Sequence, residues 1–170
     1  KVAKEQDIKY ILEGSNFRTE YIMPPDWNFH AKFDLTNLRN IHNKYGTRKL
    51  NKFPSLSPND RRIFNEIYDI QLVSILNFVQ FDLHAVVKRL KEEFNYAQYQ
   101  YKHYESIFTR FYQGYILPRK FGIDKRKAHL STLLCSGFIT RAEALEELKK
   151  PTYPIQSQNE DREYVIKKWG

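Results

Sequence analysis

Cysteine is almost absent from this sequence: Cys135 is the only one among 170 residues. A single cysteine cannot form an intrachain disulfide, and it cannot supply a cysteine-based zinc site. No apolar run approaches the roughly 20 residues that a membrane-spanning helix needs, and the amino terminus lacks the pattern of a secretory signal peptide. These absences favour a protein of a reducing, cytoplasmic compartment.

Short catalytic motifs are missing as well. The sequence contains no nucleophile elbow, no Walker loop and no dinucleotide-binding fingerprint. His30, His42, His84 and His129 have no spacing typical of metal ligands, so no metal site is predicted from them.

Positive charge is abundant. The chain has 28 Lys and Arg residues against 20 Asp and Glu residues, a formal net charge of +8. That excess favours anionic partners, which include nucleic acid, nucleotides, phosphorylated sugars and anionic membrane surfaces. The length suits one domain or a large part of one. Because the sequence starts at Lys1 with a segment typical of a helix already under way, we expect it to be part of a longer protein.

Strand signals lie before residue 80. The apolar run Ile8–Leu12 ends at a Glu-Gly-Ser-Asn turn and predicts a buried strand. Residues 47–60 predict a polar connection, and the apolar residues 70–81 fit either a buried strand pair or the start of a helix. Ligands of α/β folds collect outside the carboxyl ends of such strands.

Helix signals dominate after residue 80, with one earlier helix that begins at Asp34 and ends at Gly46. Each predicted helix has a capping residue, an apolar repeat or a terminating proline. The predicted helices are 83–94 capped by Asp82, 104–117 ended by Pro118, 124–135, the helix from the Thr140–Glu143 capping box to Lys150 before Pro151, and 162–169.

Two segments carry candidate binding residues. The run from Lys102 to Gly137 concentrates aromatic, cationic and acid–base side chains, which suit a phosphorylated, sugar-like or nucleotide-like ligand. Its alternative is a buried aromatic helix followed by a basic surface turn. After the first strand, Gly14 would let a ligand approach the backbone, and free amides with the Ser15, Asn16 and Thr19 side chains would hold phosphate or ribose oxygens. The alternative there is a plain turn.

At these residues the chain resembles a known family. HYESIFTRFYQGYILPRKFGIDKRKAHLSTLLCSG followed by ITRAEALEELKKP, and EGSNFRTEYIMPPDW upstream, are similar to the N-acetyl sugar amidotransferases of lipopolysaccharide O-antigen and surface-glycan biosynthesis. The resemblance implies an α/β fold: part of a PP-loop (adenine nucleotide α-hydrolase-like) parallel-sheet domain over residues 1–80, and a mainly helical substrate-binding region over residues 81–170.

The resemblance also implies an activity. Such ATP-pyrophosphatases use ATP and Mg²⁺ to adenylate a carbonyl oxygen, and ammonia then displaces AMP. The substrate would be a nucleotide-linked N-acetyl sugar, the product an acetamidino sugar, and the ammonia would come from a separate glutaminase subunit. Nucleic acid is not an expected partner of such an enzyme.

The resemblance assigns roles to residues of this chain. Gly14, Ser15, Asn16 and Thr19 would lie beside ATP, and Glu20, His103 and Glu105 are the candidate proton acceptors in catalysis. The residues expected to bind the sugar nucleotide are Tyr104, Arg110, Arg119, Lys120, Lys125 and Arg126.

The sequence departs from the family in two ways. It lacks the Ser-Gly-Gly-x-Asp-Ser phosphate loop and the amino-terminal cysteines, and Gln100 and Tyr101 occupy the place of an expected glycine pair. A different class of function also fits the composition. Interleaved Tyr and Arg side chains can stack on and bind single-stranded nucleic acid, which would make the chain a basic helical binding module without catalysis.

Overall fold

The computed structural model describes residues 1–27, 34–51, 53–99 and 102–169. The chain packs as two compact units. The first unit comprises Lys1–Ser15 and Asn28–Ile75, and the second comprises Asn16–Trp27 and Leu76–Gly170. The domain boundary between residues 80 and 81 stays a prediction.

The described part of the chain is mostly helical, with a small parallel sheet of two strands. The strands are β1 (Tyr10–Glu13) and β2 (Gln71–Ser74). The helices, in chain order, are α1 (Val2–Glu5), α2 (Phe17–Glu20), α3 (Leu35–Tyr45), α4 (Pro58–Glu66), α5 (Leu83–Phe94), α6 (Ile107–Phe111), α7 (Leu117–Phe121), α8 (Arg126–Cys135), α9 (Arg141–Lys149) and α10 (Ile155–Trp169).

The sheet of the first unit contains the predicted first strand, which runs over Tyr10–Glu13. The prediction that this strand is buried is wrong, because Tyr10, Ile11 and Leu12 are 62%, 41% and 65% exposed. β1 pairs with β2 in parallel, with Tyr10 opposite Gln71 and Glu13 opposite Ser74. Residues 70–81 were expected to form either a buried strand pair or the start of a helix. The structure has one strand there, β2, followed by a 3-10 turn at Ile75–Asn77.

Helix caps explain the helices of the first unit. The Asp34 carboxylate accepts from the Thr36 amide at 2.9 Å and begins α3, as predicted. The prediction of a polar connection over residues 47–60 is wrong at its end, because α4 begins at Pro58. Ser57 and Asp60 form a reciprocal capping box there, which satisfies two backbone donors that a helix start otherwise leaves free.

Capping also confirms helices of the second unit. The Asp82 carboxylate accepts from the Ala85 amide at 3.0 Å at the start of α5. Thr140 and Glu143 form the predicted capping box of α9. The last helix is longer than predicted, since α10 begins at Ile155.

The aromatic helix does not end at Pro118. A wide π-helical turn, Tyr112–Ile116, connects α6 to α7, and α7 ends at Gly122, which has a φ of 66°. A proline inside a helix has no N–H for the carbonyl four residues earlier, which here belongs to Gly114. The Thr152 hydroxyl donates to that carbonyl at 2.8 Å, and the chain is helical on both sides of the proline.

The core of the second unit includes side chains that pack against this π-helical turn. Its buried apolar side chains are Tyr104, Phe111, Ala128, Leu133, Ala144 and Tyr153. Gly114 leaves room for two of them, because a Cβ atom at this position would overlap the Tyr104 hydroxyl and the Tyr153 ring. The close approach of these two side chains therefore requires glycine at 114.

No helix in the described ranges has the properties of a membrane span. None of them combines the length and the mean hydropathy that crossing a bilayer requires.

Candidate functional site

Polar side chains meet at the carboxyl ends of the two strands in the first unit. Ser15 and Ser74 both donate hydrogen bonds to the Glu13 carboxylate, Ser74 at 2.6 Å. The bond from Ser15 and then that from Ser74 hold the pKa of Glu13 below its usual value. Gly14 faces open space, with no atom within 4 Å of the position that a Cβ would take. Glu13 is therefore a carboxylate beside the predicted turn.

Asn16 and Thr19 belong to the second unit, where they form the cap of α2. The buried Asn16 side chain accepts from the Thr19 amide at 3.0 Å and from the Thr19 hydroxyl at 3.2 Å. The Phe17 amide donates to the Asn77 side chain at 3.0 Å. The expectation that the amides of this turn are free for phosphate is wrong for Phe17 and Thr19, since both are satisfied within the protein.

Acid–base side chains from three segments gather in the second unit. Lys102 donates to the Glu20 carboxylate at the end of α2. His103 Nδ1 lies 3.9 Å from Glu105 Oε1, so these two residues do approach each other ahead of α6. We call the set of Glu20, Lys102, His103, Glu105 and His129 the acid–base cluster. Gln100 and Tyr101, which replace the expected glycine pair, lie outside the described residues.

The His103 backbone is unusual for a residue with a side chain. Its φ is 68°, in the left-handed region that glycine favours. Such a conformation costs free energy and persists where surrounding structure enforces it, often at functional sites. This strain adds to the chemical reasons for regarding the cluster as a site.

The sequence assigned no catalytic or binding role to two members of the cluster, Lys102 and His129. Burial lowers the pKa of the His129 imidazole, and the positive charge of Lys102 lowers it further; a hydrogen bond with the Thr19 backbone and the charge of Glu20 oppose the shift. The ring is therefore neutral at pH 7 and able to accept a proton. In the sequence His129 is one residue of a basic run, and nothing local marks it.

Tyr104 and Arg110 are engaged inside the helical core. The Tyr104 hydroxyl donates to the Thr152 carbonyl at 2.6 Å. Arg110 donates from Nε and Nη2 to the two Asp161 oxygens, each at 2.6 Å, and Tyr153 also donates to Asp161. Burial opposes the charge of Asp161, but the hydrogen bonds from Arg110 and Tyr153 outweigh it and hold the pKa of this carboxyl below its usual value. The assignment of Tyr104 and Arg110 to the sugar nucleotide stays a prediction.

Arg126 lies at the carboxyl end of α9. It donates to Asp124 Oδ2 at 2.8 Å and to the Lys150 and Glu147 carbonyls at 2.9 and 3.2 Å. Positive charge is favourable at the end of a helix, where backbone carbonyls lack helical partners. This contact joins the start of α8 to the end of α9.

The remaining predicted cations lie around α7. The Arg119 guanidinium lies over the Tyr115 ring at 4.4 Å, and Lys120 lies 5.5 Å from the Phe121 ring centre. Arg119 and Lys120 are both exposed, and Lys125 directly precedes α8. An anion in solvent therefore has direct access to Arg119 and Lys120.

Metal ligands do not cluster among the described residues. They contain no group of three or more His, Cys, Asp or Glu side chains that could hold a metal ion.

Comparison with curated proteins and with solved structures gives no match. Residues 105–170 match the family model described as "LPS biosynthesis protein WbpG-like, C-terminal domain". The matched segment starts at Glu105 of the acid–base cluster and contains His129 and the whole of α6–α10. The carboxyl-terminal part of this chain is thus similar to the C-terminal domain of WbpG-like proteins of lipopolysaccharide (LPS) biosynthesis.

Proposed function

We propose that this protein is an ATP-dependent amidotransferase of lipopolysaccharide biosynthesis that converts the N-acetyl group of a nucleotide-linked sugar to an acetamidino group. One observation carries the proposal: the segment similar to LPS biosynthesis proteins contributes Glu105 and His129 to a cluster of acid–base side chains. The substrate and ATP are both cytoplasmic metabolites, so the proposed enzyme acts in the cytoplasm.

The chemistry assigns the cluster a defined task. ATP and Mg²⁺ supply the activation: the acetamide oxygen bonds to the α-phosphorus, pyrophosphate leaves, and the amide nitrogen loses its proton. Ammonia, supplied by a glutaminase subunit, then bonds to the activated carbon, and AMP leaves. The attacking ammonia loses a proton in this step, so a neutral base beside the carbon accelerates it.

His129 is the base that the structure favours. Its imidazole is held neutral by burial and by Lys102, whereas the Glu20 carboxylate is occupied by the Lys102 ammonium. We assign Glu20 and Lys102 to positioning, and keep His103 and Glu105 as further candidates. The exposed Arg119 and Lys120 would contact the phosphates of the sugar nucleotide, where charge-assisted hydrogen bonds are strong.

The test is turnover by the intact protein with ATP, Mg²⁺, ammonium and a nucleotide-linked N-acetyl sugar. We expect release of pyrophosphate and AMP that requires the sugar nucleotide. His129→Gln should lower kcat by about 100-fold or more, the contribution typical of a positioned base, while His84→Gln at an exposed position should leave kcat unchanged.

Two results would refute this proposal. One is unchanged turnover in His129→Gln. The other is the absence of turnover combined with tight, strongly salt-dependent binding of single-stranded oligonucleotides, which would identify a nucleic-acid-binding module instead.

A further inference from the structure

We propose that a cleft beside Arg18 binds the base of a nucleotide. The cleft lies in the second unit and is lined by Phe17, Arg18 and residues 77–82. Its volume is about 760 Å³, within the range of small-molecule sites. The identification of the ligand as a nucleotide rests on the proposed function; the choice of the base as the bound part rests on the side chains that line the cleft.

Aromatic rings supply stacking surfaces. The Phe78 side chain is 79% exposed and that of Phe17 is 53% exposed, although both line the cleft. Two exposed phenyl rings in one cleft offer an apolar surface that a flat ligand can cover. Flat rings stack on any of the nucleobases, because every base has a π-face.

Arg18 supplies a fixed cation in the cleft wall. Its guanidinium lies 5.1 Å from the centre of the Phe81 ring and 4.4 Å from that of Phe138. It also donates to the Phe81 carbonyl at 3.2 Å. These contacts hold the guanidinium in place before any ligand arrives, which reduces the entropy lost on binding.

Side-chain amides supply the hydrogen bonds that distinguish one base from another. The side-chain oxygen of Asn77 accepts a hydrogen bond from the Phe17 amide at 3.0 Å. Among the described residues, no acceptor pairs with the side-chain nitrogen of Asn77. Gln80 has no hydrogen-bond partner within the described part of the chain. Asn and Gln amides pair with the donor and acceptor edges of bases, so stacking rings beside two such amides match a base better than they match a phosphate or a sugar alone.

Calorimetric titration of the intact protein tests the inference directly. The probes are UMP, AMP and ribose 5-phosphate, which share a phosphorylated ribose and differ in the base. We expect at least one of the two nucleotides to bind about tenfold or more tightly than ribose 5-phosphate, the gain expected from stacking one base. A preference for UMP would point to the base of the sugar nucleotide, and a preference for AMP to that of ATP.

Three variants locate the binding. Phe78→Ala should raise the Kd of the preferred nucleotide about tenfold, while Phe94→Ala, which removes a ring 70% exposed at the end of α5, should leave it essentially unchanged. Asn77→Asp keeps the acceptor for the Phe17 amide but removes the donor, so it should weaken nucleotide binding without lowering Tm.

Equal affinity for ribose 5-phosphate and both nucleotides would overturn the inference, and so would unchanged affinity in Phe78→Ala. Because these titrations do not require turnover, they separate the two proposals. If the wild type releases pyrophosphate in a sugar-dependent reaction and Phe78→Ala binds nucleotide normally, the proposed activity is supported and the proposed binding cleft is refuted. If Phe78→Ala loses nucleotide binding but the wild type shows no turnover, the cleft is supported and the activity is refuted.

Discussion

The Thr152 hydroxyl donates a hydrogen bond to the carbonyl of Gly114, which lies four residues before Pro118 and cannot accept an amide hydrogen from it. The bond spans 38 positions in the sequence and measures 2.8 Å. This hydrogen bond attaches the segment between α9 and α10 to the π-helical turn that joins α6 to α7.

Thr152→Val should lower the free energy of unfolding by about 1–3 kcal/mol, because it leaves a carbonyl in the helical core without a donor. The measurement is urea denaturation at pH 7. Thr36→Val, at an exposed position of α3, is the matched control and should cost much less. In a Pro118→Ala background, the backbone at position 118 regains an N–H, so the cost of Thr152→Val should shrink. An equal cost in both backgrounds would mean that the hydroxyl does not replace the missing N–H.

Gly114→Ala should destabilise the protein by about 1–3 kcal/mol, the usual cost of overpacking a core. The added methyl group meets the Tyr104 hydroxyl and the Tyr153 ring, and lies 2.9 Å from the Thr152 carbonyl oxygen. Thermal unfolding of this variant is to be compared with that of Gly14→Ala, whose methyl group meets nothing within 4 Å. A Tm for Gly114→Ala equal to or above that of the wild type would show that the core has room at this position.

Asp161→Asn should lower the free energy of unfolding by about 3 kcal/mol at pH 7, because it leaves the partly buried Arg110 guanidinium without its carboxylate partner. The folded protein lowers the pKa of Asp161 below its ordinary value of 3.8. The carboxylate therefore contributes its full stability above that ordinary value and loses it as the pH falls through the folded-state pKa. The difference in the free energy of unfolding between wild type and Asp161→Asn should therefore become smaller when the pH is lowered from about 5 toward about 2.

Denaturation of both proteins at several pH values measures this difference. Asp26→Asn, at an exposed position, controls for the general effect of removing one negative charge. If the free energies of unfolding of wild type and Asp161→Asn differ by the same amount across the whole acidic range, the charge of Asp161 does not stabilise the fold.

Asn16→Ala should lower the free energy of unfolding by about 1 kcal/mol, the typical value of a helix cap. Asn16→Asp retains an oxygen that can accept from the Thr19 amide and should recover most of that loss. Asn43→Ala, exposed within α3, should be neutral or slightly stabilising. If Asn16→Ala melts at the wild-type temperature, Asn16 is not needed as a cap and remains available for a ligand.

Helix ends could be read from the sequence because capping is local. Asp34, Asp82 and the pair Thr140–Glu143 each satisfy backbone donors within three residues, so the residue type alone carries the information. The same signal marks α4, where Ser57 precedes a proline and Asp60 follows. The cap marks this helix, but the prolines at positions 54 and 58 obscure it, because proline is typical of loops as well as of a first helical turn.

Contacts between distant segments could not be read in this way. The Gly114 carbonyl, four residues before Pro118, accepts a hydrogen bond from Thr152, far along the chain. The neutral state of His129 depends on burial and on Lys102. The internal roles of Arg110 and Arg126 depend on Asp161 and on the end of α9. In each case the partner is chosen by packing, which the residue pattern of one segment does not encode.

The register of the small sheet has a consequence for the order of folding. Each residue of β1 pairs with a residue 61 positions later, as Glu13 does with Ser74. Closing a loop of that length costs chain entropy on the order of 4 kcal/mol, whereas capped helices form locally within microseconds. During synthesis, β1 leaves the ribosome before its partner strand exists, so its backbone hydrogen-bonding groups lack their native partners until Ser74 has emerged. The pairing of β1 with β2 is thus among the last native contacts to form, and chaperone binding during that interval would act on β1.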